Sequence, residues 1–470
     1  MIRTPLASHS PPEDFVATPE ASFDAVPQAP DRVYRKIFMR LIPFLMLLWI
    51  VAWIDRVNIG FVKMRMLEEL GWSEAIYGLG AGIFFLGYFF FEVPSNLLLQ
   101  KIGAKKTIMR ITLGWGVISI LMFTVTTPVM FYIMRFLLGV FEAGFYPGII
   151  LYLTYWFPAN RRAKAFGMFM SASAFAGVLG GPLAGVIMSN MHGVLGLNDW
   201  QWVFIIEGIP SIILGFVTWV YLTDRPHQAK WLTTFEKKMV QEELDAENAK
   251  LEHREHSMLG ALKGKTIWLF IVIFFCIIAA NSTLTFYGPS LVSEVGFKDP
   301  MVLGWIMAAV NLGGAVAMIA NGFISDRTGE SRWNTSIGAL VGAGSLVAAG
   351  LLINVSPLGA ILALGLAIIG TMGAIPVFWQ MPNHFLTGAA AAGGVALINS
   401  IANLAGFGAP YMLGALKDST GSLTPGLIII GIVEALAAVL ILSFVPKFRE
   451  ARKGAKGNEA AIQQDVEVEA

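Results

Sequence analysis

Repeated runs of about 20 apolar residues confine this chain to one solvent, since a run of that length crosses a hydrocarbon core as a helix rising about 1.5 Å per residue. Twelve such runs are read, at about 37–60, 74–99, 107–127, 129–154, 164–190, 201–223, 266–293, 300–325, 333–354, 357–381, 388–416 and 422–446. Charged residues make up 14% of the 470 positions and hydrophobic ones 56%, against roughly 25% charged in soluble domains. A cytosolic globule is excluded. The expected fold is an all-α membrane protein of twelve transmembrane helices, with the lipid bilayer as its main partner.

The net charge of +1 gives no reason to expect a nucleic-acid partner, but the placement of the charges is informative. Arg32, Arg35, Lys36 and Arg40 fall on one side of the predicted spans, as do Lys101, Lys105, Lys106 and Arg110, then Arg161, Arg162 and Lys164. Arg327, Arg332, Lys447, Arg449, Arg452 and Lys453 continue the series, whereas the other side has Lys63, Arg65, Lys298 and Lys417, each with an acid nearby. The positive-inside rule places both termini in the cytoplasm, and hence the chain in the cell inner (plasma) membrane. Residues 1–34 lack the pattern of a signal peptide and are expected to be a disordered cytoplasmic tail, with 447–470 as a second. The charged stretch 224–265 divides the chain into halves at 35–223 and 266–446, and reads as a cytoplasmic linker with a surface helix. A single cysteine, Cys276, allows no intrachain disulfide and no metal site by cysteine spacing. No metal or cofactor is expected. A monomer is.

Five ionisable residues lie inside otherwise apolar runs of the first half: Asp55, Arg56, Glu92, Arg135 and Glu142. A charge at mid-membrane costs roughly 2.5–3.5 kcal/mol on insertion scales, so such a cluster marks a polar cavity that moves something charged. Glu207 is a further candidate member with no nameable partner, and the second half is expected to contain none. Arg135 and Glu142 are seven residues apart, which leaves them about 20° apart on one helix face. Static pairing, Asp55 with Arg135 or Glu142 with Arg56, is the alternative to a working site. Histidines 192, 227, 253, 256 and 384 fall in or near loops and are not expected to relay protons.

The halves also repeat. Gly322, Asp326, Arg327, Gly329 and Arg332 align with Asn96, Gln100, Lys101, Gly103 and Lys106. This resembles the G-x-x-x-D-R-x-G-R-K loop motif of the major facilitator superfamily, with Gln100 standing where that family usually has Asp. The resemblance implies two pseudo-symmetric six-helix halves that rock about a midplane site in alternating access, with a charge–dipole latch expected at Asp326. DRVNI on the first helix, YFFFEVPSN on the second, RFLLGVFEAGFYPG on the fourth and YWFPANRRAKA after it are similar to the anion:cation symporter family within it, over essentially residues 35–446. The bacterial tartrate, phthalate and sugar-acid type is the most similar.

That resemblance implies a secondary active transporter, not an enzyme, which takes up a small carboxylate with protons. It makes Arg56 and Arg135 candidate anion ligands or guides, and Asp55 and Glu142 candidate proton carriers. An arginine fork suits a carboxylate, and a moving cation beside a buried carboxyl can load or release a proton. Tyr88, Tyr287, Trp379 and Asn399 match cavity positions of the family, and Ser173 departs from it at a fifth-helix position where its sugar-acid carriers can have glutamine. Asn403 shares a face with Asn399 at i,i+4, and Asn281, Ser282, Thr283, Asn311 and Gln380 are further neutral groups of the second half. Glu92, before Pro94, reads as a gate residue, with Gln100, Lys101, Asp326 and Arg327 in the gating loops. A membrane ligand sensor and a drug or cation antiporter are the competing readings; two fixed arginines argue against a cation substrate. No phosphate-binding loop for ATP is present.

Overall fold

The computed structural model describes residues 31–251, 265–385 and 389–445. The expected tails, apart from 31–34, and linker residues 252–264 lie outside the described residues. All regular structure among the described residues is helical. In chain order the helices are α1 (Asp31–Leu70), α2 (Glu74–Ile102), α3 (Ala104–Leu121), α4 (Pro128–Glu142), α5 (Phe145–Thr154), α6 (Ala159–Asn190), α7 (Asp199–Tyr221) and α8 (Thr234–Leu251). They are followed by α9 (Lys265–Glu294), α10 (Pro300–Thr328), α11 (Ser331–Leu352), α12 (Pro357–Phe378), α13 (Gln380–Phe385), α14 (Ala389–Asn403), α15 (Ala405–Thr420) and α16 (Thr424–Phe444).

Local sequence sets these boundaries. Thr127 before Pro128, Asp299 before Pro300 and Ser356 before Pro357 each cap a first turn with a side-chain oxygen, since proline at the first helical position forfeits a donor that has no partner there. Gly329 and Gly421 end α10 and α15 in the left-handed region. Eleven helices among the described residues are long and apolar enough to span a membrane. The run expected at 388–416 is instead divided at Leu404, where the turn tightens to i→i+3 bonds from Leu404 to Ile401 and from Phe407 to Leu404. Pro410 farther along removes another helical donor. The run at 129–154 is broken at Gly144. Large apolar side chains such as Phe90, Ile133, Phe216, Ile319 and Leu362 face outward, as a lipid-embedded surface requires.

Helices of the two halves meet mainly at one end of the bundle, opposite the end where α1 begins and α16 finishes; these are the far and near ends. There α2 packs on α15, α6 on α10 and α1 on α9. At the α6–α10 crossing the backbones nearly touch, for a β-carbon on Gly181 would sit 2.5 Å from the Gly304 carbonyl oxygen. Small residues permit this approach, which gains dispersion contact where lipid offers no hydrophobic driving force. The linker helix α8 docks on the first half: Tyr34 donates to Glu243 at 2.9 Å, Lys36 pairs with Glu236 at 3.0 Å, and Arg162 pairs with Glu247 at 3.0 Å.

One expectation is overturned. The second half does contain a buried acid: Glu434, in α16, is fully buried and accepts a hydrogen bond from Thr371 Oγ1 at 2.7 Å. It lies in the uniform run IIIGIVEALAAV at the middle of the span expected at 422–446, with Gly342 of α11 and Thr371 of α12 packed against its carboxyl. Glu294 and Lys417 also join an ion cluster at the far end.

Candidate functional site

The polar centre is built where α4 breaks. Gly144 adopts φ +82°, and a β-carbon on it would fall 2.5 Å from that of Ser95, so both backbone conformation and space require glycine. The break makes Glu142 the last residue of α4, buried and aimed at α1. Arg56 Nε donates to its Oε1 at 2.9 Å, and a second guanidinium nitrogen binds the same oxygen.

Arg56 stands in the wall of a central cavity with about 1150 Å³ of empty space, open solvent included. No other charged side chain lines that cavity among the described residues. Aromatic rings surround the guanidinium: Trp53 and Phe84 at 5.2 Å, Tyr88 at 5.6 Å and Trp49 at 6.0 Å. Their faces favour a cation without neutralising it. Tyr88, Ser173, Trp379, Asn399 and Asn403 also line the cavity, as do Asn281 and Ser282. The Ser173 hydroxyl accepts from Trp49 Nε1 at 2.6 Å. Asn311 lines an adjoining smaller cavity that shares Ser173 and Asn281.

Several expected residues stand elsewhere. Arg135 is buried behind Phe84, whose ring is 5.2 Å from both guanidiniums; it donates to the carbonyls of Gly80 and Ala81, each at 3.3 Å. Asp55 points away from the cavity and accepts from Ser211 at 2.6 Å, Ser119 at 3.0 Å and Trp115 at 3.1 Å. Of the two static pairs considered, Arg56 with Glu142 forms. Glu92 accepts from Ser400 Oγ at 2.8 Å across the halves. Tyr287 lies outside the cavity, its hydroxyl donating to the Pro410 carbonyl at 3.2 Å. Thr283 is buried in α9, outside the cavity wall.

A family model described as Major Facilitator Superfamily matches residues 44–410. The chain belongs to this superfamily. It is similar to a protein of Agrobacterium vitis named "Putative tartrate transporter", 44% identical over 427 residues, covering 90% of this chain and 94% of the relative. It is also similar to the "Quinolone resistance transporter" of Acinetobacter baumannii, at 37% identity over 409 residues, 87% and 94% of the two chains. Among solved structures, the xylose transporter XylE from E. coli, partially occluded and inward open, superposes with a TM-score of 0.71 at 15% identity, covering 87% of this chain and 98% of that one. The chain is therefore a multi-pass membrane transporter of the major facilitator fold, and its relatives are named as transporters rather than enzymes.

The superfamily's loop motif is realised differently in each half. In the first, Gln100 and Lys101 are exposed, and the acid comes from Asp224, which accepts the Lys105 backbone N–H at 2.7 Å at the start of α3. That supplies negative charge at the helix N-terminus. In the second, Asp326 accepts from Gln380 Nε2 at 2.9 Å, while Arg327 lies over the Phe323 ring at 4.2 Å. Gln380, outside the cavity, also accepts from Ser325 and Ser331.

The far end holds a charge cluster that sequence patterning missed. Lys63 is fully buried, 2.6 Å from Glu74 and 3.8 Å from the Tyr287 ring centre. Lys417 pairs with Glu74 at 2.7 Å and with Glu294, while Asp418 accepts the backbone N–H groups of Glu74 and Ala75. One half thus caps α2 of the other. The available signal was the segment FVKMRMLEEL after Gly60, whose Met, Leu, Glu, Lys and Arg favour continuation of the first helix beyond the membrane-length run. Lys417→Ala should weaken this closure by about 1–3 kcal/mol. The expected result is roughly tenfold faster labelling, from the far side, of a cysteine placed at Ser282 in a Cys276→Ala background.

Proposed function

We propose that this transporter takes up a small organic carboxylate in symport with protons. The observation that carries the reading is the Arg56–Glu142 pair: the one cation in the cavity wall among the described residues is held by a carboxylate of the protein itself, in the place a substrate carboxylate would take. Protonation of Glu142 releases Arg56, whose fork then binds the anion. Arg135 supplies a fixed positive field from behind Phe84, and Asp55 is a second proton carrier. Tyr88, Ser173, Trp379, Asn399 and Asn403 set the fit around the substrate, while Tyr287 acts through the far-end closure. Glu92 with Ser400 gates the near end, and the loops at Gln100, Lys101, Asp326 and Arg327 hold it. Tartrate, phthalate and sugar acids are the substrate classes, tartrate favoured by the name of the A. vitis relative. The basic residues place both termini and the 224–265 linker in the cytoplasm, with halves 35–223 and 266–446 moving about the cavity.

The test is uptake of tartrate, phthalate and galactonate into proteoliposomes with the outside acidified. At least one anion should accumulate with the gradient. Glu142→Gln should abolish gradient-driven accumulation while retaining anion counterflow. Indifference to the gradient and to all three anions would overturn the reading. The quinolone relative favours drug export as the second reading, and quinolone efflux from the same vesicles would support that instead.

A further inference from the structure

A second acidic site lies behind α1, between α1, α3 and α7 and outside the cavity. Asp55 is 2% exposed, and its two oxygens accept three donors, from Trp115, Ser119 and Ser211. Such saturation suits an ionised carboxylate, which accepts only. Glu207, 3% exposed, is in the opposite condition: neither carboxyl oxygen has a hydrogen-bond partner. Asn58, 2% exposed, is within interaction distance of that carboxyl, the two side chains standing just outside a closed hydrogen bond.

Among the described residues no cation pairs with either acid. The charged groups facing it are the two acids themselves and Glu142 of α4, which acts on Asp55. Packed from α3 are Trp115 and Ser119, and from α7 Ser211, all uncharged. Arg56, next to Asp55 in sequence, points the other way, to Glu142. Two adjacent buried carboxyls without a counter-ion cannot both ionise cheaply. One of them therefore holds a proton, and the hydrogen-bond pattern puts it on Glu207.

We propose that Asp55 and Glu207 hold one exchangeable proton between them, in a pocket sealed from the anion cavity, and that Glu207 is a proton carrier of the transport cycle. The proposal rests on the proton-symport reading. A group serving only to support the fold would have its partners in place. Here the acid has only a loosely placed amide, Asn58, beside it, and α7 carries Pro210 one turn away within its continuous span. Asp55 also sits on the same helix as Arg56, so displacement of α1 when Arg56 leaves Glu142 changes the distance across the acid pair and the proton's hold. The proton, shared with Asp55, leaves by way of Glu207 for water on the side then open.

The experiment measures protons carried per anion, by reversal potential in proteoliposomes, for wild type, Glu207→Gln and Glu434→Gln. Glu434 is the matched control, a buried acid of the other half that the mechanism does not use. Glu207→Gln should lose one proton per anion while anion counterflow stays within about threefold of wild type, and Glu434→Gln should change neither. An unchanged ratio in Glu207→Gln overturns the proposal. Loss of a sodium dependence in that variant would also overturn it, by showing that the pocket holds a metal cation. A wild-type ratio of zero protons refutes the symport reading instead. Should Glu207→Gln fail to fold, Glu207→Asp decides: the ratio should be kept and the pH midpoint of uptake displaced, and an undisplaced midpoint overturns the proposal.

Discussion

Arg56→Ala is expected to lower carboxylate uptake by at least about 100-fold, because it removes the cation of the cavity wall and strands Glu142. Glu142 is 3% exposed and takes both its guanidinium bonds from Arg56. Truncating one member of a buried pair costs about 3–5 kcal/mol, and each ~1.4 kcal/mol is a factor of ten. Arg56→Lys keeps the charge but not the fork, and should retain roughly one-hundredth to one-tenth of the rate. Initial uptake rates and counterflow in proteoliposomes, with thermal unfolding as the folding control, give the measurement. Adding Glu142→Ala to Arg56→Ala should recover stability, since no buried acid is then stranded, without recovering transport. Uptake by Arg56→Ala within tenfold of wild type would show that the anion is held elsewhere.

Gly304→Leu is expected to trap the protein with its far end open and to reduce turnover by roughly 100-fold. A β-carbon on Gly304 would already meet the backbone of Gly181, and α6 and α10 cannot separate there without opening the seam. Overpacking costs about 1–3 kcal/mol when neighbours can move. Here the neighbour is backbone on both sides, so the cost falls on the sealed state as a whole. States of transporters differ by only a few kcal/mol, so the population moves by a factor of about 10 to 100. A cysteine at Ser282, in a Cys276→Ala background, should become labelled from the far side at a rate no longer sensitive to substrate. Wild-type turnover in Gly304→Leu would mean that the α6–α10 contact is not needed for closure.

Much of this architecture was legible because membrane insertion demands long apolar runs, and those runs mark helices without ambiguity. The breaks were less legible. Gly144 and Leu404 interrupt runs that are hydrophobic throughout, and the break at 144 depends on the space left by Ser95 of another helix. Arg56 and Glu142 stood out as charges in apolar helices, and the structure brings them together. The partners of Asp55 did not stand out: Ser119 and Ser211 are ordinary small residues until α3 and α7 are packed. Glu434 stands at the centre of the run expected at 422–446 and was legible by the same criterion as Glu142; what packing adds is its partner, Thr371. Lys63 and Lys417 read as charges in connections on the far side and Glu74 does not stand out, since nothing local reveals that opposite halves bring the three together. Register between distant helices, rather than composition, is what the sequence withheld.

α1 runs unbroken from Pro43 to Leu70, and it carries Asp55, Arg56 and Lys63 on one rod. Arg56 and Lys63 are seven residues apart, so they project within about 20° of each other and about 10 Å apart along the axis. Asp55 projects about 100° away from Arg56. A shaft with such fixed lobes would time the proposed cycle by geometry: a turn that lifted Arg56 from Glu142 would also draw Lys63 from Glu74 and shift Asp55 against its α7 partner Ser211. Anion capture, release of the far-end seam and rearrangement of the acid pair would then be phases of one rotation, with no separate messenger between them.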